Sequence, residues 1–312
     1  MRILGVDSGG SKTEAVVIDE KGRVLRYFLG RGCNIAVENE ENIRKIFSRV
    51  FEQVGSVDLA VLGVAGAGRK KHVKKATEIL SRIISAKKLI VLSDAEVALI
   101  ASTHYSPGVL IIAGTGSIAF SLNENRRVHR CGGLGYLLGD EGGGYWIGLR
   151  ALRLLARILD GREEKSRLAE RLMEALGVSD IDELVEKTYS ELSVSEIASL
   201  AKIVVELSEV DSYARRIVED ACTELARLAK CAADKARLNY PIVYYQGGLF
   251  SSKIFRKVFY EKLLEIFKNR VILKKPLFKP VAGSLLIAWR YLGRDLETLL
   301  EKLRQYNFLI FE

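Results

Sequence analysis

Two apolar runs, residues 3–6 and 15–18, border a turn spelled Gly5-Val6-Asp7-Ser8-Gly9-Gly10-Ser11-Lys12-Thr13. Both runs read as strands, so the segment reads as a hairpin. Its tip is dense in Gly, Ser, Thr and Lys and packs little. It offers backbone N–H groups, hydroxyls and one ammonium, which suits a phosphate. Glycine lets the backbone approach an anion without interference from Cβ. Asp7, ending the first strand, is placed to hold Mg²⁺ directly or through water. A plain tight hairpin is the alternative, and it leaves the joint presence of Asp, Lys and Thr unexplained. The design recurs about a hundred residues later, where residues 109–113 and 118–120 enclose Gly114-Thr115-Gly116-Ser117. Two such turns, each opening one half of the chain, imply a duplicated fold that grips one polyphosphate from both sides.

Around these turns, apolar strand-like runs at 24–29, 58–64 and 88–92 alternate with helical patterns at 39–54, 70–84 and 95–103. In the first helix Ile43, Ile46, Phe47, Val50, Phe51 and Val54 form one stripe. Alternating strands and helices imply a largely parallel α/β sheet covered on both faces. After hairpins at 109–122 and 128–131, the chain reads as mostly helical from 144 to 238. Strand 242–245, helix 253–267, strand 270–273, helix 281–292 and a last helix at 295–305 follow. At 312 residues there is room for two domains. They are expected at 1–114 and 115–294, with 295–312 packing back on the first.

The Asp-Ser-Gly-Gly-Ser-Lys-Thr turn, the Ala-Gly-Thr-Gly-Ser turn and the run Gly139-Asp140-Glu141-Gly142-Gly143-Gly144-Tyr145-Trp146 resemble those of the N-acetylglucosamine kinases. More broadly they resemble the BadF/BadG/BcrA/BcrD ATPase family within the actin–hexokinase–Hsp70 superfamily. Tyr245-Gln246-Gly247-Gly248-Leu249-Phe250-Ser251-Ser252 resembles the family's adenosine-side motif. The resemblance implies a two-domain actin-like ATPase (ribonuclease H-like) fold with an ATP cleft between the domains. It also implies ATP and Mg²⁺ as cofactors and transfer of the γ-phosphoryl to a sugar hydroxyl, O6 of a hexose or amino hexose. A homodimer is the expected assembly.

Asp94 ends the apolar run Leu89-Ile90-Val91-Leu92 and precedes a helix. A carboxylate at the carboxyl end of a strand faces the ligand crevice of an open α/β sheet and can take a proton from an attacking hydroxyl. Asp is equally a favoured helix cap, and the residues alone leave both roles open. The resemblance favours the catalytic one. Asn34, in a loop after Gly30-Arg31-Gly32, can donate to and accept from sugar hydroxyls, or serve as a turn residue. By resemblance Asn34, Gly133 and Asp140 touch the sugar, and Thr115 sits between sugar and phosphates. Gly66 in Ala65-Gly66-Ala67-Gly68 lets the substrate approach the backbone. Asp7, Gly9, Gly10, Ser11, Lys12, Thr13, Gly114, Thr115, Gly116 and Ser117 are the expected phosphate and metal contacts. Gly247 and Gly248 are expected beside the adenosine, with Gly283-Ser284 flanking the adenine. Leu134 stands where these kinases carry Trp, so the contact to an acetamido group differs.

Net charge is +9, but the basic residues are dispersed. The densest run, residues 69–75, opens a helix and reads as a solvated face, so no nucleic-acid partner is expected. No apolar run reaches the eighteen residues a membrane helix needs, and the first residues lack a signal-peptide pattern. A cytoplasmic protein is therefore expected. Cys33, Cys131, Cys222 and Cys231 form no CxxC pair, which argues against a zinc cluster. Cys222 and Cys231 read as small buried helix residues. A dehydratase activase of the same broad family is the main rival reading. Ile112-Ala113-Gly114-Thr115-Gly116 lacks the Cys by which those proteins hold an iron–sulfur cluster. A non-catalytic kinase-fold regulator is the other.

Overall fold

The computed structural model describes residues 1–311 of the chain. It comprises two compact units: Met1–Ser106 with the chain from Lys275 onward, and Pro107–Lys274.

The first unit opens with β1 (Arg2–Ser8), β2 (Lys12–Asp19) and β3 (Val24–Arg31), an antiparallel meander. α1 (Glu40–Val54), β4 (Val57–Val64), α2 (Lys70–Leu80), β5 (Ala86–Ser93) and α3 (Asp94–Thr103) follow. Strand order is β3-β2-β1-β4-β5, with β4 parallel to β1 and β5 parallel to β4. Helices cover both faces, and the central strands are apolar on both sides: Ile3, Leu4, Val6 and Ala15 to Ile18 are all buried. α1 buries the stripe that its periodicity predicts. Asn39 caps its first turn by accepting from the Asn42 N–H, and Gly55 ends it at φ 71°.

The second unit repeats the plan. β6 (Gly108–Ala113), β7 (Ser117–Leu122) and β8 (Val128–Gly132) form a meander. Six helices come next: α4 (Gly144–Leu159), α5 (Arg167–Leu176), α6 (Ile181–Ser190), α7 (Val194–Ser199), α8 (Ala201–Leu207) and α9 (Ser212–Lys235). β9 (Ile242–Gln246), α10 (Lys253–Phe267) and β10 (Ile272–Lys274) complete it. Strand order is β10-β9-β6-β7-β8, and β9 and β10 run parallel to β6. Read from each meander outward, the two sheets have the same topology. The chain then returns to the first unit as α11 (Pro280–Tyr291) and α12 (Leu296–Leu303).

The boundaries expected at 114/115 and 294/295 therefore move to 106/107 and 274/275. β6 belongs to the second sheet because its partners are β7 and β9. α11 belongs to the first unit because it packs on β1 and α3. A Cβ on Gly5 would come within 2.8 Å of Leu285, and one on Gly283 would overlap the Val97 carbonyl. Ser284 Oγ donates to the Val6 carbonyl at 2.7 Å. Gly283 and Ser284 are thus packing residues of the first unit, which corrects their expected place beside an adenine. A second correction concerns Cys231. It is disulfide-bonded to Cys131, tying β8 to α9 with Cα atoms 6.3 Å apart, while Cys33 and Cys222 are buried and free.

Candidate active site

In the first unit the turn between β1 and β2 is held from within. The Gly9 N–H donates to the Lys12 carbonyl at 2.9 Å, and the Cys33 N–H donates to the Gly9 carbonyl at 2.9 Å. Thr13, expected to hold phosphate, is fully buried. Its hydroxyl lies 2.8 Å from Ser8 Oγ and donates to the Arg31 carbonyl at 2.8 Å, so it pins the turn instead of facing outward. Gly10, Ser11 and Lys12 are exposed. Among the described residues, the N–H groups of Gly10 and Ser11 have no partner. Two free amides beside an ammonium make a concave donor set for an anion. Gly32 closes the turn from below. A Cβ there would lie 2.5 Å from the Gly9 carbonyl oxygen and from the Lys12 nitrogen.

Asp7, next to last in β1, is almost fully buried. Burial, reinforced by the neighbouring Asp94 and Glu14 carboxylates, pushes its carboxyl up to about 8, against the pull of the Lys12 ammonium. Asp94 begins α3 at the end of β5. Burial raises its carboxyl too, against the Ala95 N–H that donates to Oδ1 at 2.9 Å. The helix cap is Ser93, not Asp94. Ser93 Oγ accepts from the Glu96 N–H, and Glu96 answers to the Ser93 N–H at 3.0 Å. Asp94 is thereby free of a capping role and sits within electrostatic reach of Asp7.

These carboxylates also bear on Mg²⁺. Among the described residues, no three His, Cys, Asp or Glu side chains converge on one metal position. Mg²⁺ does not need such a cage. It keeps several waters and takes one or two carboxylates plus the phosphates. Asp7, with two acidic neighbours and the partnerless Glu14 Oε2, is a carboxyl that crowding keeps protonated and that a hydrated cation arriving with a nucleotide would let ionise.

Asn34 and Gly66 are brought together. Asn34 bridges Ala65, and its Oδ1 accepts from the Ala36 N–H at 3.0 Å. Gly66, at φ 82°, has no room for a Cβ because Asn34 Oδ1 lies there. His72, which no motif marks, lies with Nδ1 2.9 Å from the Gly66 carbonyl.

In the second unit the Gly114–Ser117 turn meets the start of α4. The Gly144 and Tyr145 N–H groups donate to the Gly114 and Thr115 carbonyls at 2.7 and 2.9 Å. The positive end of a sixteen-residue helix therefore lies at the turn. Thr115 is exposed, and Ser117 is buried with Oγ on the Glu141 carbonyl. Asp140, in the left-handed region at φ 61°, packs against Gly116, and the backbone N–H groups of Gly135 and Ser117 pull its carboxyl down. Burial still raises its carboxyl. Gly133 is held by the Arg130 guanidinium on its carbonyl. Leu134 is half exposed beside it.

A cavity of about 660 Å³ joins Gly114 and Thr115 to Gly248 and Ser252, with Lys202 and Glu206 of α8 on its wall. That volume suits a nucleoside. Gly247, at φ 107°, lies where a Cβ would overlap the Ala113 carbonyl. The cavity unites the second turn with the expected adenosine-side glycines, and adds helix α8, which carries no recognisable motif.

Two sheets of one topology, each opening with a meander whose first turn is rich in glycine, define an actin-like fold. The chain belongs to the BadF/BadG/BcrA/BcrD ATPase family, whose model it matches over residues 4–288. It is 30% identical to the N-acetyl-D-glucosamine kinase of Dictyostelium discoideum, over 91% of this chain and 97% of that protein. It is 29% identical to the N-acetylmuramic acid/N-acetylglucosamine kinase of Clostridium acetobutylicum, over 74% of this chain and 79% of that one. In fold it is similar to a Chromobacterium violaceum protein solved as a candidate N-acetylglucosamine kinase, with TM-score 0.73, 24% identity, and coverage of 92% of this chain and 98% of that one. A ROK family glucokinase from Streptomyces griseus, solved with glucose and AMPPNP, shares the fold at TM-score 0.53 and 19% identity, over 92% of this chain and 98% of that one.

Proposed function

We infer that the protein is an ATP-dependent carbohydrate kinase, and we propose that it transfers the γ-phosphoryl to O6 of a hexose or amino hexose of the N-acetylglucosamine class. The observation that supports this most is Asp94: a half-buried, uncapping carboxylate at a strand end, within electrostatic reach of Asp7 and its phosphate turn. As the sugar oxygen bonds to phosphorus, Asp94 accepts its proton and the bond to the ADP oxygen breaks. The Gly10 and Ser11 amides with Lys12, and Thr115 and Gly116 of the second turn, hold the phosphates. Gly247 and Gly248 border the adenosine. Asn34, Gly66, Gly133 and Asp140 are assigned to the sugar hydroxyls and backbone approach. Mg²⁺, when bound, neutralises the charge on the transferring phosphoryl group, and Asp7 is the residue that would hold it.

Initial rates with ATP·Mg on glucose, glucosamine, N-acetylglucosamine and N-acetylmuramic acid test the reading. Hydroxyl contacts discriminate strongly, while the single apolar side chain of Leu134 discriminates by only about 1–3 kcal/mol. N-acetylglucosamine is expected to be turned over, with the 2-substituent changing kcat/KM by less than roughly 10³-fold. Binding of ATP without turnover of any of the four would overturn it.

The Asp7 carboxyl adds a pH signature. Its folded value, about 8, lies above the usual 3.8, so between those limits the folded protein keeps a proton that the unfolded chain has lost. Stability of the free protein from this group therefore falls as pH rises from 4 to 8. A bound cation requires the ionised form, so ADP·Mg should release up to about one proton per site near pH 6.5 and almost none at pH 9.5. Titration calorimetry in two buffers of different ionisation enthalpy measures this. Asp7→Asn should abolish the release and flatten the dependence of Tm on pH.

A further inference from the structure

Glu14 stands on β2 directly opposite Asp7 of β1, so the two carboxylates share one face of the sheet. It is 2% exposed. Its Oε1 accepts from Lys12 Nζ at 3.1 Å and from the Tyr27 hydroxyl at 3.3 Å. Its Oε2 is buried and has no partner.

A bare buried carboxylate oxygen is costly. The β2 residues that follow Glu14, Ala15 to Ile18, are apolar and buried. The cation that neutralises Glu14 is also a loose one: the Lys12 side chain is 55% exposed and rises from the phosphate turn itself. An anion in that turn competes for the same ammonium. As Lys12 turns toward phosphate, Glu14 and Asp7 are left opposite one another with less compensation, and Oε2 is a buried acceptor still without a partner.

We propose that Glu14 is a positioning residue of the metal–nucleotide site, with Oε1 holding Lys12 in the turn and Oε2 accepting a hydrogen bond from a water carried by the cation at Asp7. The inference rests on the ATP·Mg reading above. It assigns to Glu14 the role of outer partner for a hydrated divalent cation, and makes metal dependence a property of the β1–β2 pair. A structural water on Oε2 would explain the bare oxygen equally well, but would tie Glu14 to stability and not to the metal.

Calorimetric titration of the full chain with ADP, once in excess Mg²⁺ and once in EDTA, separates the two. The wild type should bind at least ~10-fold tighter with Mg²⁺. Glu14→Gln keeps shape and an acceptor for Lys12 but loses the charge. It should reduce that Mg²⁺ advantage by about 10-fold, the low end for outer partners of metal ligands. Any loss it causes in EDTA, through Lys12, is common to both conditions and cancels in that ratio. Equal loss in both conditions, or a change in Tm alone, overturns the proposal, as does a wild type indifferent to Mg²⁺. A wild type that binds no ADP at all refutes the ATP reading itself, a distinct failure. Glu14→Asp, which keeps the charge but withdraws it by one methylene, supplies the same ratio if the Gln variant does not fold. An unchanged Mg²⁺ advantage there counts against the role.

Discussion

Replacing Asp94 by Asn is expected to lower sugar phosphorylation by at least ~100-fold while ATP·Mg still binds. That is the low end for loss of a general base. Asn preserves the acceptor for the Ala95 N–H, and the cap of α3 is untouched because Ser93 and Glu96 form it. The substitution also removes a carboxyl that burial holds above its usual range, so stability should hold or rise. Steady-state rates paired with nucleotide titration check both halves. A variant with near wild-type turnover would reduce Asp94 to a bystander at the start of a helix.

The second large effect is expected from Gly32→Ala. Its methyl group would lie 2.5–2.6 Å from Gly9 O, Lys12 N and Gly10 C. All three are backbone atoms, so no side chain can swing aside. The overlap is relieved only by shifting the turn whose Gly10 and Ser11 amides are its free donors. Overpacking of this kind costs about 1–3 kcal/mol. If it falls on the phosphate turn, ADP affinity should drop by roughly 10-fold or more, with far-ultraviolet circular dichroism unchanged. Unaltered affinity would show that nucleotide does not use this turn.

Gly32 illustrates what the sequence makes legible and what it hides. The Asp-Ser-Gly-Gly-Ser-Lys-Thr and Gly-Thr-Gly-Ser turns are readable because anion binding by backbone is local: it needs small residues in one short stretch. The β1–β2 strands and the α1 stripe are readable for the same reason. Whether a hydroxyl in such a turn points out or in is not local. Thr13 turns inward because Ser8 and the Arg31 carbonyl, one on each neighbouring strand, are there to receive it. The Ser93-Asp94-Ala95-Glu96 segment held a usable signal. Its Ser-x-x-Glu pattern is a capping box that points to Ser93 as the cap. A charge at Glu14 within an apolar strand was another. The Cys131–Cys231 bond carried none, since its partners are 100 residues apart. β6 and α11 join units other than those expected because sheet neighbours and helix packing are chosen across the fold, not along it.

The return of α11 to β1 has a consequence for synthesis. The second unit is one uninterrupted stretch of about 170 residues, whereas the first is in two pieces. A chain leaving the ribosome exposes β1 to β5 early, yet the helix that seats Leu285 on Gly5 emerges only after the whole second unit. At about 5–20 residues per second that is a delay of roughly 10–30 s. The middle of the protein can therefore finish folding before its beginning. The early sheet spends that interval without the helix that covers β1, so the nascent first unit keeps apolar surface exposed until the chain is nearly finished.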